Sequence, residues 1–127
     1  MGKSKCTPEF RNGRRKMAVD FLNSADALGI VVDTPNGSHP YVQLCVLAGI
    51  AASDVICCAN TGYHNQGDNH EEAIAMLASV NKELGKHLAV LLRMKTRTGY
   101  QHREAIQEDR KRAGRAAAAL VEATKKH

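Results

Sequence analysis

The chain has 127 residues, enough for one domain with its own core and too few for two comfortable ones. Hydrophobic residues make up 43% and aromatics 4%, with no tryptophan; this argues against intrinsic disorder and disfavours a β-sandwich, which draws on aromatic and β-branched residues. The net charge of +5 conceals a pattern: six Lys/Arg against one Glu in residues 1–16, two Lys against eight acids in 17–92, and ten Lys/Arg against four acids in 93–127.

Basic ends of this kind suit an anionic partner, nucleic acid or nucleotide. The plainer reading is a solvated helix face with a basic tail. Residues 1–8 read as that flexible basic tail, and residues 9–127 as a single helical bundle domain. Lys3 and Lys5 are followed by polar residues rather than a hydrophobic signal region, so a cytoplasmic location is the default expectation. Over residues 9–28 the apolar positions Phe10, Met17, Phe21, Ala25 and Leu28 fall at helical spacing, and Gly29 suits a stop. Residues 33–38 form a turn cluster with Pro35 and Gly37.

A second helix is predicted from His39-Pro40 to about Asn60, with proline in the first turn. Val42, Cys45, Gly49, Ala52 and Ile56 share a face, and Gly49 leaves room for a neighbouring helix. Leu44, Val46, Leu47, Ile50 and Val55 cover much of the rest, which places this helix at the centre of the bundle or in an interface. Its apolar run, residues 41–56, falls short of the roughly 20 residues of a membrane span, so no membrane partner is expected. Asp54 is its single charge, suited to a structural ion pair or to a site. Cys6, Cys45, Cys57 and Cys58 form no CxxC pair and read as buried, reduced thiols rather than as a disulfide or zinc set.

Residues 60–67 form a polar loop. Asp68 and Glu71 then match a capping box that opens a third helix over residues 69–80. His64, Asp68 and His70 invite a metal reading, but their spacing matches no known ligand pattern, and neither metal nor cofactor is expected. After a break at Asn81-Lys82, a fourth helix is predicted over residues 83–96, with Leu84, Leu88, Leu91 and Met94 or Lys95 on one stripe. Gly99 is the next stop. His87, at the edge of this stripe, reads as a packed residue. The fifth helix, residues 107–124, turns Ala113, Ala116, Ala117, Leu120, Val121 and Thr124 inward. Its basic residues Arg110, Lys111, Arg112 and Arg115, with Arg103 before it, either grip phosphates or pair with Glu104, Glu108 and Asp109.

The stretch Arg97-Thr98-Gly99-Tyr100-Gln101-His102 carries the most specific chemistry. On a continuous helix, five residues rotate the chain by about 500°, leaving Arg97 and His102 roughly 140° apart. They converge only if the helix breaks between them, and Gly99 supplies a break. A histidine moves protons near neutrality, and an arginine holds a phosphate bidentately. Together they suit metal-independent RNA cleavage, with Tyr100 stacking on a base.

The helix order, the apolar helix with Gly49-Ile50-Ala51-Ala52-Ser53-Asp54, the capped third helix at Asp68–Glu71, and Leu91-Leu92-Arg93-Met94-Lys95 before a tyrosine resemble the HEPN domain. The resemblance spans about residues 10–125. It implies an all-α compact bundle of four to five helices, often homodimeric with a site shared between protomers. It also implies a binder of RNA or nucleotide, in many members a metal-independent ribonuclease of toxin–antitoxin or defence systems. Carried over, it makes Arg97 and His102 catalytic, and it assigns Lys95, Tyr100, Arg103, Arg110 and Lys111 to nucleotide or nucleic-acid binding. Thr98 stands where active members commonly carry Asn, Asp or His. This keeps open a non-catalytic helical module, an antitoxin or the partner of a nucleotidyltransferase, which would use the second helix as its interface.

Overall fold

A computed structural model of the chain describes residues 2–31, 38–100 and 107–127, with only the backbone described at 31, 38 and 96–100. Five α-helices occur among the described residues: α1 (Pro8–Val31), α2 (Ser38–Thr61), α3 (His70–Val80), α4 (Lys82–Tyr100) and α5 (Gln107–Ala123). A 3₁₀ turn, Thr124–Lys126, follows α5. Two short strands, β1 (Lys3–Lys5) and β2 (Tyr63–Asn65), pair antiparallel with Ser4 opposite His64. The architecture is the all-α bundle expected, with a small β-ribbon added.

The helix starts follow from local chemistry. Thr7 caps α1, its Oγ1 accepting from the Phe10 amide at 3.0 Å, with Pro8 and Glu9 in the first turn. The cap of α3 is Asn69 rather than Asp68: Asn69 Oδ1 accepts from Glu72 N at 3.1 Å. Asn81 ends one helix and begins the next. Its amide donates to Leu77 O at 2.9 Å, while its Oδ1 accepts from Leu84 N at 3.0 Å.

α2 lies at the centre and packs against α1, α3, α4, α5 and β2. Its predicted inward face is buried along its length, with Val42, Cys45, Ala52 and Ile56 fully enclosed. By length and composition α2 could cross a membrane, yet most of its apolar surface is inside the bundle, as in the core helix of a soluble protein. At Gly49 a Cβ would collide with Leu91 Cδ1 and meet Leu120 Cδ1 at 3.3 Å, so the close approach expected there is real. Leu77, Leu88, Leu91, Leu92 and Leu120 fill the rest of the core, and the predicted stripe of α5 is buried throughout. On α1 the inward position is Ala18; Met17 is 43% exposed, one residue out of register with the predicted stripe.

Two sequence expectations are corrected at the N-terminus. Lys3–Lys5 is not a loose tail but β1, and Cys6 is not a free thiol. Cys6 is disulfide-bonded to Cys58 at the end of α2, 52 residues on. The turn that brings them together depends on Gly62, whose φ of +81° suits glycine. Gly62 N donates to Cys58 O at 3.0 Å, and its carbonyl accepts from Cys6 N at 2.8 Å. Cys45 and Cys57 are free and buried, as expected; burial pushes their thiols up to about 12 and about 11.

Candidate functional site

Two cavities gather the charged residues that bear on a site. The first lies on the outer side of α4 and α5. Lys86, Ala89, Val90, Arg93 and Met94 from α4 and Arg112 from α5 line a cavity of about 320 Å³. The exposed Lys86 is paired with Glu83 at 3.2 Å, and the exposed Arg93 with Glu71 at 3.6 Å. Exposed pairs contribute little, so both cations can exchange their partner for a ligand anion at small cost. Lys111, Arg112 and Arg115 are exposed, and Lys95 is half-buried.

Arg110, predicted as a phosphate ligand, is committed to the fold. Its Nη2 donates to Gly29 O at 3.1 Å and its guanidinium lies 5.1 Å from the centre of the Tyr41 ring, so it ties α5 to α1 and α2. The described part of α4 runs to Tyr100, one residue past the stop expected at Gly99. Arg97 lies one turn beyond Arg93 on this helix, whereas His102 and Arg103 fall outside the described residues.

The second place lies where α1, α2 and β2 meet. A cavity of about 290 Å³ is lined there by Phe10 and Arg14 of α1, Ser53 and Asp54 of α2, and His64 to Gly67. Its apolar floor includes Ile50, Leu88 and Leu92. Arg14 Nε donates to Asp54 Oδ2 at 2.9 Å, with side chains 22% and 13% exposed. Phe10 and His64 stack at a centroid distance of 4.0 Å and an interplanar angle of 21°. His64 Nδ1 lies 3.1 Å from Asn65 O. Of these residues the sequence singled out Asp54 and the loop with His64. Arg14 and Phe10 escaped notice because only the return of β2 onto the start of α1 brings them near. A third, larger groove of about 680 Å³ lies between the ribbon and α3, bordered by Thr61, Tyr63, Ala75 and Met76; its charged residues, Lys3 and Glu72, are both exposed.

His64, Asp68 and His70 do not converge: among the described residues no three His, Cys, Asp or Glu side chains form a metal-ligating group.

Burial pushes the Asp54 carboxyl up from its ordinary 3.8, outweighing the pull of Arg14 and His64 in the other direction. A buried acid so shifted favours the folded state while protonated. That contribution is complete below the unfolded pKa and is lost as pH rises through the folded-state value. Asp54→Asn removes the titration. The unfolding free energy of wild type minus that of Asp54→Asn, from urea titrations, is therefore expected to fall as pH rises from about 3 to about 6. A difference that grows over this interval would mean the ion pair outweighs burial.

No family model, curated protein or solved structure matches the chain.

Proposed function

We propose that this protein is a HEPN-like helical module that binds RNA or nucleotides through the basic face of α4 and α5. The observation that carries this reading is the meeting of Lys86, Arg93 and Arg112 at one cavity with apolar walls. Cations at such a cavity suit a phosphate backbone, while Ala89, Val90 and Met94 offer contact to a sugar or base.

In a catalytic version, Arg97 holds the scissile phosphate and His102 relays the proton. The ribose 2′-oxygen bonds to phosphorus, the bond to the 5′-oxygen breaks, and the proton passes through His102 from the first oxygen to the second. A homodimer would complete the site from two copies. The second reading is a non-catalytic module acting with an antitoxin, toxin or nucleotidyltransferase partner.

The test is fluorescence anisotropy with single-stranded RNA, together with an RNA cleavage assay in chelator. Three phosphate contacts predict that affinity falls about 20-fold between about 50 and about 200 mM salt. Arg93→Glu/Arg112→Glu should lose binding at least about tenfold while keeping its helical circular dichroism. If the charge-reversed protein binds as well as wild type, the basic face is not the binding surface. Cleavage that disappears in Arg97→Ala and His102→Ala supports the catalytic version; binding without cleavage leaves the non-catalytic one.

A further inference from the structure

The cavity between α1, α2 and β2 has the chemistry of a recognition site distinct from the basic face. We infer that it binds a single guanine-type base, a flat heterocycle with two adjacent N–H donors beside a carbonyl oxygen. The reading does not depend on phosphate binding at α4 and α5, which lies on a different side of α4.

Size is the first argument. At about 290 Å³ the cavity sits at the lower end of the range for small-molecule sites, enough for one base and too small for a dinucleotide. Shape is the second. Phe10 and His64 form a flat two-ring stack at the cavity wall, and Ile50, Leu88 and Leu92 close its floor. A planar ring gains both stacking and apolar contact in such a slot.

Polar complementarity is the third argument, and it selects among bases. The Asp54 carboxylate is an acceptor only. Its Oδ2 takes the Nε of Arg14, and among the described residues Oδ1 takes no hydrogen bond. Oδ1 is therefore free to accept from a donor that enters the cavity. Beside it, the guanidinium of Arg14 is held by Asp54, with only the Met17 sulfur, at 3.2 Å, as a further partner among the described residues. The site thus presents an acceptor next to a donor. Guanine matches this order: its N1–H and N2–H face a carboxylate, and its O6 accepts from a guanidinium. Adenine would turn a lone pair at N1 toward the carboxylate, and uracil flanks its single N–H with two carbonyls. Phosphate is disfavoured by the negative charge of Asp54.

The experiment uses the intact oxidised protein and uncharged nucleosides, so that the basic face plays no part. Guanosine, inosine and adenosine are titrated while amide and methyl signals are followed by NMR. Guanosine is expected to shift signals of Phe10, Ile50 and His64 with a Kd below about 1 mM. Inosine lacks the N2 amino group and should bind about fivefold or more weakly, and adenosine weaker still. Asp54→Asn, if its spectrum remains that of the folded chain, should abolish the preference for guanosine. His64→Ala supplies a second variant: it should weaken all three nucleosides alike and leave the order unchanged. The inference is overturned if guanosine shifts nothing at about 1 mM, if adenosine binds as well as guanosine, or if the shifts fall on α4 and α5 instead. RNA binding by the basic face can fail without affecting this result.

Discussion

Opening the Cys6–Cys58 disulfide is expected to lower the unfolding free energy by about 4 kcal/mol, the chain-entropy value for a loop closed across 52 residues. That is a large share of the roughly 5–15 kcal/mol that stabilises a typical domain. The direct contribution comes from restricting the unfolded chain. A second effect is local. β1 and β2 are three residues each, and a two-stranded ribbon of that size does not hold together alone. Cys6 anchors the ribbon to the end of α2, and β2 carries His64 and Asn65 into the cavity beside Asp54. Reduction should therefore loosen that cavity as well as destabilise the whole.

Urea midpoints of wild type with and without reductant, and of Cys6→Ala/Cys58→Ala, check this. Reduced wild type and the double variant should coincide, both well below the oxidised protein. In the oxidised protein an alkylating reagent should leave Cys45 and Cys57 unmodified without denaturant, since burial holds both thiols protonated. Identical midpoints with and without reductant would show that the bridge contributes nothing. A cytoplasmic setting, the default expectation from the sequence, is a reducing one in which such a bridge does not usually persist. There the chain would have to fold without this contribution.

Periodicity over long helices made most of the bundle legible from residue order. All five helices appear within a few residues of where apolar spacing placed them, α1 and α4 running three or four residues longer at their C-terminal ends. Errors of one residue arose where two chemically similar residues compete. Asn69 caps α3 beside Asp68, and Ala18 turns inward beside Met17. What stayed hidden depended on the chain's return path. Cys6 meets Cys58, and Phe10 meets His64, only after Gly62 reverses the direction of α2 toward the N-terminal segment. No local pattern encodes a contact between residues more than 50 positions apart. Asp54 stood out in the sequence as the single charge of an apolar helix, whereas its partner Arg14 looked like one basic residue among several. Glycine permits a helix to end without compelling it: α1 runs past Gly29 to Val31, beyond the stop expected there.

Leu91→Ala is expected to cost about 3–5 kcal/mol, at the upper end for a buried leucine. Leu91 is fully enclosed, and its Cδ1 occupies the notch that Gly49 leaves in α2. The notch exists because glycine has no Cβ, so the leucine fits nowhere else without moving α4. This predicts a coupling that a simple cavity would not show. Gly49→Ala alone gains about 1 kcal/mol of helix propensity but forces Leu91 and Leu120 aside, for a net loss. In Gly49→Ala/Leu91→Ala the new methyl group enters space that Leu91 has vacated. The double variant should thus be more stable than the sum of the single losses predicts, by at least about 0.5 kcal/mol in urea titrations. Strict additivity would mean that Gly49 and Leu91 do not constrain each other. The same contact bears on function. Leu91 fixes the inner face of α4 against α2, while Arg93 on the outer face borders the basic cavity, so whatever loosens Leu91 also frees the cations from their common orientation. Leu91→Ala should therefore weaken RNA binding while removing no charge, and Gly49→Ala/Leu91→Ala should recover part of that loss.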